Sequence, residues 1–352
     1  LGPTTDDITR ELTAELLGLE LIHDEEIMQA IARRFARRNL MMSDRNRRQA
    51  QRPKESTVLP NPNGTAPGLY LPPLPLPNSF AGVSSGQRSP HIFLLPGPPR
   101  ELEPMFAASV VPIIREFAPA HPGFEMWTWK IAGIGESQVE HLVGESLLGL
   151  GIELGYCARP GEVDIRTIGS RGQLEEAEKI VLEKLGPHIV SQGDRTLEAV
   201  VVDLLTKRQE TVATAESCTG GYVAHRITNV PGASAVFLAG FVTYANEAKS
   251  RDLGVDAALI REHGAVSHQV AVAMATGALE KSGAHFALAT TGIAGPSGGS
   301  AEKPVGTVYI ALARRDAPAE VERHRFSTDR QTFKDLVSQT ALDLLRRAMI
   351  GK

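Results

Sequence analysis

From residue 196 to the last helix, short apolar runs alternate with helical segments, and no other feature of the chain restricts its fold as much. Residues 211–214, 286–291 and 307–313 are β-rich and apolar, the pattern of strands covered on both faces. Residues 241–244 read as a further strand, and the more polar 321–327 as an edge strand. Helices are expected over 197–207, 220–228, 245–253, 268–281 and 332–349. Elements in that order fold as one sheet layered between helices, an α/β/α unit.

With 352 residues the chain is too long for a single core. Three domains are expected, over 1–120, 121–192 and 193–352. The middle one reads as a small α+β module with strands at 127–131 and 162–166, a single short pair, and helices at 136–150 and 174–185. Gly193-Asp-Arg-Thr196 is its joint to the last domain. Residues 5–40 read as helical, with Asp24 capping a segment whose Ile27, Ile31 and Phe35 share one face. Residues 60–90 are rich in Pro, Gly, Ser and Asn, and 71–77 form a polyproline-like loop. A strand at 91–95 then hands over to a helix that Pro96-Gly-Pro-Pro99 starts. The opening Leu1-Gly-Pro-Thr-Thr-Asp-Asp7 resembles a strand-to-helix turn in the middle of a fold, so an upstream segment is expected.

Charge and cysteine usage narrow the partners. Lys and Arg number 37 against 41 Asp and Glu, a net charge of -4, which gives no global attraction to nucleic acid or an anionic membrane. The run 33–54 holds nine Lys or Arg and one acid, Asp44, but lacks the interleaved aromatics of a nucleic-acid surface. It reads as a solvated helix end and loop. Cys157 and Cys218 are the only cysteines, so no disulfide framework is supported and a cytoplasmic location is expected. No apolar run reaches the length of a membrane-spanning helix.

Three constellations could carry chemistry. Ala215-Glu-Ser-Cys-Thr-Gly-Gly221 lies at a strand-to-helix junction, where Ser217 would stand beside backbone amides from Cys218 to Gly220. An ordinary capping Ser or Thr fits the same residues. Thr243-Tyr-Ala-Asn-Glu-Ala-Lys249 supplies Lys249 as a base, if burial lowers its pKa, and Tyr244 as a proton relay. Alone, Lys249 also reads as a solvated helix lysine. Thr290-Thr-Gly-Ile-Ala-Gly-Pro-Ser-Gly-Gly-Ser300 follows a buried strand and matches neither a Walker loop nor a dinucleotide fingerprint. It can present amides to a phosphate, or be a plain glycine-rich loop. Arg330 has the fork to join it. The ten histidines show no metal spacing, and no metal is expected in the last domain.

At these residues the chain resembles the CinA family (competence/damage-inducible protein A). The likeness runs through Thr214–Gly221, Gly240-Phe-Val-Thr-Tyr244, Asn246-Glu-Ala-Lys249, His263-Gly-Ala-Val-Ser267, Thr291-Gly-Ile-Ala-Gly-Pro296 and Glu302-Lys-Pro-Val-Gly-Thr307. It implies a nicotinamide-nucleotide amidohydrolase with Ser217 as nucleophile and Tyr244 and Lys249 assisting. Glu216, Cys218, Thr219, Gly220, Gly221, Asn246, Thr291, Gly292, Gly295 and Arg330 would contact the substrate, with Arg330 and the 292–299 loop on the 5′-phosphate. Upstream, Gly2–Asp7, Asn46-Arg-Arg-Gln-Ala50, Asn61–Gly68 and Leu95-Pro-Gly-Pro-Pro-Arg-Glu101 are similar to the family's molybdopterin-binding-like domain. That likeness implies metal-dependent hydrolysis of ADP-ribose, and so a divalent metal in an incomplete N-terminal domain. The middle module resembles a KH-like linker without an evident Gly-x-x-Gly loop. The expected architecture is therefore multidomain α/β. The expected partners are a nucleotide substrate and a second copy in a homodimer, with no nucleic acid, no membrane and no cofactor for the deamidase.

Overall fold

The computed structural model describes residues 1–4, 6–76, 87–118, 123–315 and 317–351. The chain divides into two compact units, Leu1–His121 and Pro122–Lys352. Part of the proline-rich stretch, residues 77–86, and Thr5 of the opening motif lie outside the described residues.

The first unit is built from short pieces. Helix α1 (Thr9–Leu17) leads to strand β1 (Leu21–His23), then helix α2 (Glu25–Arg37). Asp24 caps α2 as expected, accepting from the amides of Glu26 and Ile27 at 3.0 and 3.1 Å. The helical reading of 5–40 missed β1, which pairs antiparallel with β2 (Gln51–Pro53). A run as short as three residues has too little periodicity to register. A second antiparallel sheet orders β3 (Thr57–Leu59), β4 (Gly68–Leu71) and β5 (Ile92–Leu94). Pro99 opens α3 (Pro99–Met105), and a wider turn links it to α4 (Val111–Phe117). The family-like motifs converge here through side-chain amides. Asn46 donates to Gln49 and Gln49 to Thr65, at 3.1 and 3.2 Å, while Asn61 donates to Glu101 at 2.8 Å.

The second unit holds two sheets. Strands β6 (Phe124–Ala132), β7 (Glu153–Arg159), β8 (Glu162–Ser170) and β9 (Ile189–Gln192) form an antiparallel sheet in the order β7-β8-β6-β9. Helices α5 (Glu136–Leu148) and α6 (Arg171–Leu185) bury Val139, Val143, Leu147, Ala177 and Val181 with Trp129, Ile131 and Ile165 of this sheet. Four strands stand where the sequence reading has one pair. The unread β7 has no buried residue, four of its seven being exposed, so it lacks the apolar signal of a core strand.

The other sheet orders β11 (Phe237–Val242), β10 (Val212–Glu216), β12 (Phe286–Gly292), β13 (Thr307–Arg314) and β14 (Ala317–Arg325). Strand β10 runs parallel to both neighbours, whereas β12–β13 and β13–β14 are antiparallel. Period-two alternation separates large from small side chains. Val212, Leu288, Val308, Ile310 and Leu312 pack on one face with helices α7 (Leu197–Arg208), α8 (Tyr222–Thr228) and α12 (Arg330–Met349). Ala213, Ala215, Ala287, Ala289, Ala311 and Ala313 form the other face, against helix α11 (His268–Ser282). An alanine face lets α11 lie close, with α9 (Asn246–Leu253) and α10 (Ala257–His263) beside it. Strand β11 begins and ends earlier than the sequence indicates, leaving Thr243 and Tyr244 beyond its end. Among the described residues no helix is long and apolar enough to cross a membrane.

Candidate active site

The carboxyl ends of β10, β11 and β12 meet at one edge of the sheet. A strand with parallel neighbours on both sides opens a crevice there, the favoured place for a ligand in such sheets. A cavity of about 210 Å³ lies in that crevice, lined by Ser217 and Cys218 after β10, Tyr244, Asn246 and Lys249 after β11, and Thr291 and Gly292 at the end of β12. Ala265, Val266, Ala294 and Arg330 complete it.

Lys249 is its chemical centre. The side chain is 1% exposed, and its Nζ donates to Ser217 Oγ at 3.1 Å. It also donates to the backbone carbonyls of Thr243 at 2.8 Å and Tyr244 at 3.4 Å. No carboxylate pairs with it among the described residues. Burial pushes its pKa below the ordinary lysine value, outweighing the opposing influence of Cys218 and Glu247. A neutral amine beside a serine hydroxyl can accept the hydroxyl proton.

The loop bearing Ser217 is fixed from below. Ser217 N–H donates to Thr290 O at 2.9 Å, and the hydroxyls of Thr219 and Thr290 bond at 2.7 Å. Glu216, expected to contact substrate, instead lies beneath the loop, 1% exposed. Its carboxylate accepts from the amides of Gly221, Val223 and Ala224 at 2.9, 3.0 and 2.8 Å. A buried charge is tolerable when so many donors face it. The chain turns into α8 through Gly220 and Gly221, at φ 63° and 94°, a region that favours glycine.

These bonds decide which amides remain. Gly220 N–H, expected among the oxyanion donors, is taken by Ser217 O at 3.2 Å, and that of Gly221 by Glu216. The amides of Cys218 and Thr219 have no acceptor among the described residues. They are the donors of this turn that its own bonds leave uncommitted. Cys218 itself is buried, and burial pushes its thiol up to about 12, which removes the thiolate a sulfur nucleophile needs.

Tyr244 and Arg330 form the pocket's outer side. Tyr244 is 61% exposed, and its hydroxyl accepts from Arg330 Nη2 at 2.9 Å. Arg330 Nη1 donates to Gly295 O at 2.9 Å. Arg330 thus ties Tyr244 to the glycine-rich loop while lining the cavity, and only the backbone carbonyl of Tyr244 reaches Lys249. Thr291 is likewise engaged, donating to Ala265 O at 2.7 Å. Asn246 stands exposed at the start of α9, open to a ligand. Of the other expected contacts, Thr219 is buried under the loop, and Gly295 contributes its carbonyl to Arg330 rather than a wall to the cavity. Sequence reasoning missed Thr243, Thr290, Ala265 and Val266. Three of these act through backbone atoms or packing, which leave no residue-type signal.

The first unit brings no comparable set together. Among the described residues no three or more His, Cys, Asp or Glu side chains converge as metal ligands. Glu101 accepts from Asn61 at 2.8 Å, Glu11 pairs with Arg48 at 2.9 Å, and Asp7 accepts from Thr4.

Comparison with known proteins matches each segment. The CinA C-terminal domain family matches residues 194–349, the CinA KH domain family 128–186 and the probable molybdopterin binding domain family 1–116. A CinA-like protein of Akkermansia muciniphila is 44% identical over 97% of this chain and 80% of its own length. A putative competence-damage inducible protein of Caldicellulosiruptor bescii is 42% identical over 99% and 83%. A solved competence/damage inducible protein from Agrobacterium tumefaciens is 44% identical, covering 44% of this chain and 93% of its own, with a TM-score of 0.43. Identity of this depth across nearly the whole chain assigns it, with its three matched segments, to the CinA family.

Proposed function

We propose that residues 193–352 are an amidohydrolase that converts nicotinamide mononucleotide to nicotinate mononucleotide and ammonia, a step of pyridine-nucleotide recycling. The observation that carries this reading is the buried Lys249 Nζ, 3.1 Å from Ser217 Oγ and without a carboxylate partner among the described residues. An amide carbonyl is a poor electrophile, so its hydrolysis needs an activated nucleophile, a site for the oxyanion and an acid for the leaving amine. The pocket supplies all three.

Ser217 Oγ attacks the carboxamide carbon while neutral Lys249 takes the hydroxyl proton. The oxyanion rests on the amides of Cys218 and Thr219, each such donor being worth about 3 kcal/mol in related sites. Lysine then returns its proton to the departing nitrogen, releasing ammonia and leaving an acyl ester on Ser217. A water molecule gives a proton to Lys249 and attacks the ester; Lys249 returns that proton to Ser217 Oγ as the ester bond breaks, which frees nicotinate mononucleotide and restores the serine. Tyr244, held by Arg330, closes one side of the ring site. Ammonia release from nicotinamide mononucleotide tests the reading, and Ser217→Ala is expected to abolish it in a well-folded protein.

A second reading, metal-dependent hydrolysis of ADP-ribose, places the activity in the first unit. It is favoured by the match of residues 1–116 and by the Asn61–Glu101 and Asn46–Gln49–Thr65 contacts among its motifs. The described residues do not bring three His, Cys, Asp or Glu side chains together as a metal site. Chelator sensitivity separates the two readings.

A further inference from the structure

The Ser217 cavity, about 210 Å³, falls below the roughly 300–1,000 Å³ of sites that enclose a whole drug-sized ligand. It can take a ring and its carboxamide, so the ribose phosphate of a mononucleotide must lie over the rim. Arg330 is already engaged there by Tyr244 and Gly295. One turn along α12, about 6 Å away on the same face, stands Lys334. Its Nζ sits 5.8 Å from the centroid of the Tyr222 ring, and 3.9 Å from where a Cβ on Gly220 would be. Lys334 has neither an ion pair nor a hydrogen bond among the described residues. Asp335 beside it accepts from Gln331 at 3.2 Å. Gly220 is exposed and lacks a side chain, which leaves room between the nucleophile loop and this ammonium.

We infer that Lys334 receives the 5′-phosphate of the substrate and so makes the enzyme select nucleotides over their nucleosides. A free ammonium pinned over an aromatic ring beside bare backbone suits a phosphate carrying about -1.5 to -2 charge. The inference rests on the amidase reading and adds the group by which substrate is chosen.

The test compares the full chain with Lys334→Ala and Lys334→Arg, on nicotinamide mononucleotide and on nicotinamide riboside, which lacks the phosphate. The alanine variant should lose about tenfold or more in kcat/KM for the mononucleotide, mainly through KM, while riboside turnover stays as in the wild type. The arginine variant should keep most of the activity on the mononucleotide. An alanine variant unchanged on the mononucleotide, or weakened equally on both substrates, overturns the inference. If the wild type releases no ammonia from either, the amidase reading falls on its own. Calorimetric titration with the mononucleotide then decides: about tenfold weaker binding to Lys334→Ala upholds the phosphate site, and equal binding refutes it.

Discussion

Lys249 is held by two backbone carbonyls and a serine hydroxyl, an environment that solvates an ammonium only in part. Burial therefore lowers its pKa below 10.5. Between the folded value and 10.5 the unfolded chain binds a proton that the folded chain has shed. This contribution to stability is complete above 10.5 and is lost as pH falls through the folded value. Replacing Lys249 with Met should remove that pH dependence, read as urea midpoints of both proteins across the alkaline range. The same variant should lose about 10³-fold or more in kcat, and wild-type kcat/KM should rise with pH as Lys249 deprotonates. Cys218→Ala should keep activity within a few-fold, because its thiol is not ionised at neutral pH. Glu216→Gln leaves three amides with a weaker acceptor and should cost about 2 kcal/mol of stability along with much of kcat. Ser217 and Lys249 were legible as a pair from their motifs. The roles of Glu216, Gly220 and Arg330 were not, since each is decided by which neighbouring amide or carbonyl lies in reach.

Helix α11 and the sheet beneath it depend on small side chains at matched positions. A Cβ on Gly277 would fall 2.0 Å from the carbonyl oxygen of Leu253, at the end of α9. Gly277→Ala should therefore push α11 and α9 apart and lower the thermal midpoint, at a cost of about 1–3 kcal/mol despite alanine's better helix propensity. Because α9 carries Lys249, ammonia release should fall with it. The central strands β10, β12 and β13 are readable in the sequence because both faces are covered and most of their residues are apolar. Strand β11 is apolar throughout, Phe-Leu-Ala-Gly-Phe-Val, and alternates half-buried with exposed residues at the sheet edge, so nothing in its residue types marks where pairing starts and stops. Strands β7 and β9 were missed for related reasons. One is largely exposed, and the other is four residues long and pairs with β6, far away in the chain.

Within the second unit the small sheet and the large one are joined through α12. Arg346, 2% exposed, bonds Asp343 on its own helix and reaches the carbonyls of Pro187 and Ile189 at 2.7 and 3.0 Å. Removing one partner of so buried a network costs about 3–5 kcal/mol. Calorimetry should show Arg346→Ala melting this unit at a lower temperature and in two resolved steps, where the wild type melts in one. The opposite end of the same helix carries Arg330 into the Ser217 pocket, so α12 spans both the joint and the pocket. At the scale of the whole molecule, Ser217 is proposed as the nucleophile of a metal-independent amidase. The most direct measurement is ammonia release from nicotinamide mononucleotide by the wild type and Ser217→Ala, each with and without EDTA. Release by the wild type that survives EDTA and disappears in the alanine variant is the predicted result. Absence of release from folded wild type, or release that EDTA stops and the alanine variant retains, would contradict it.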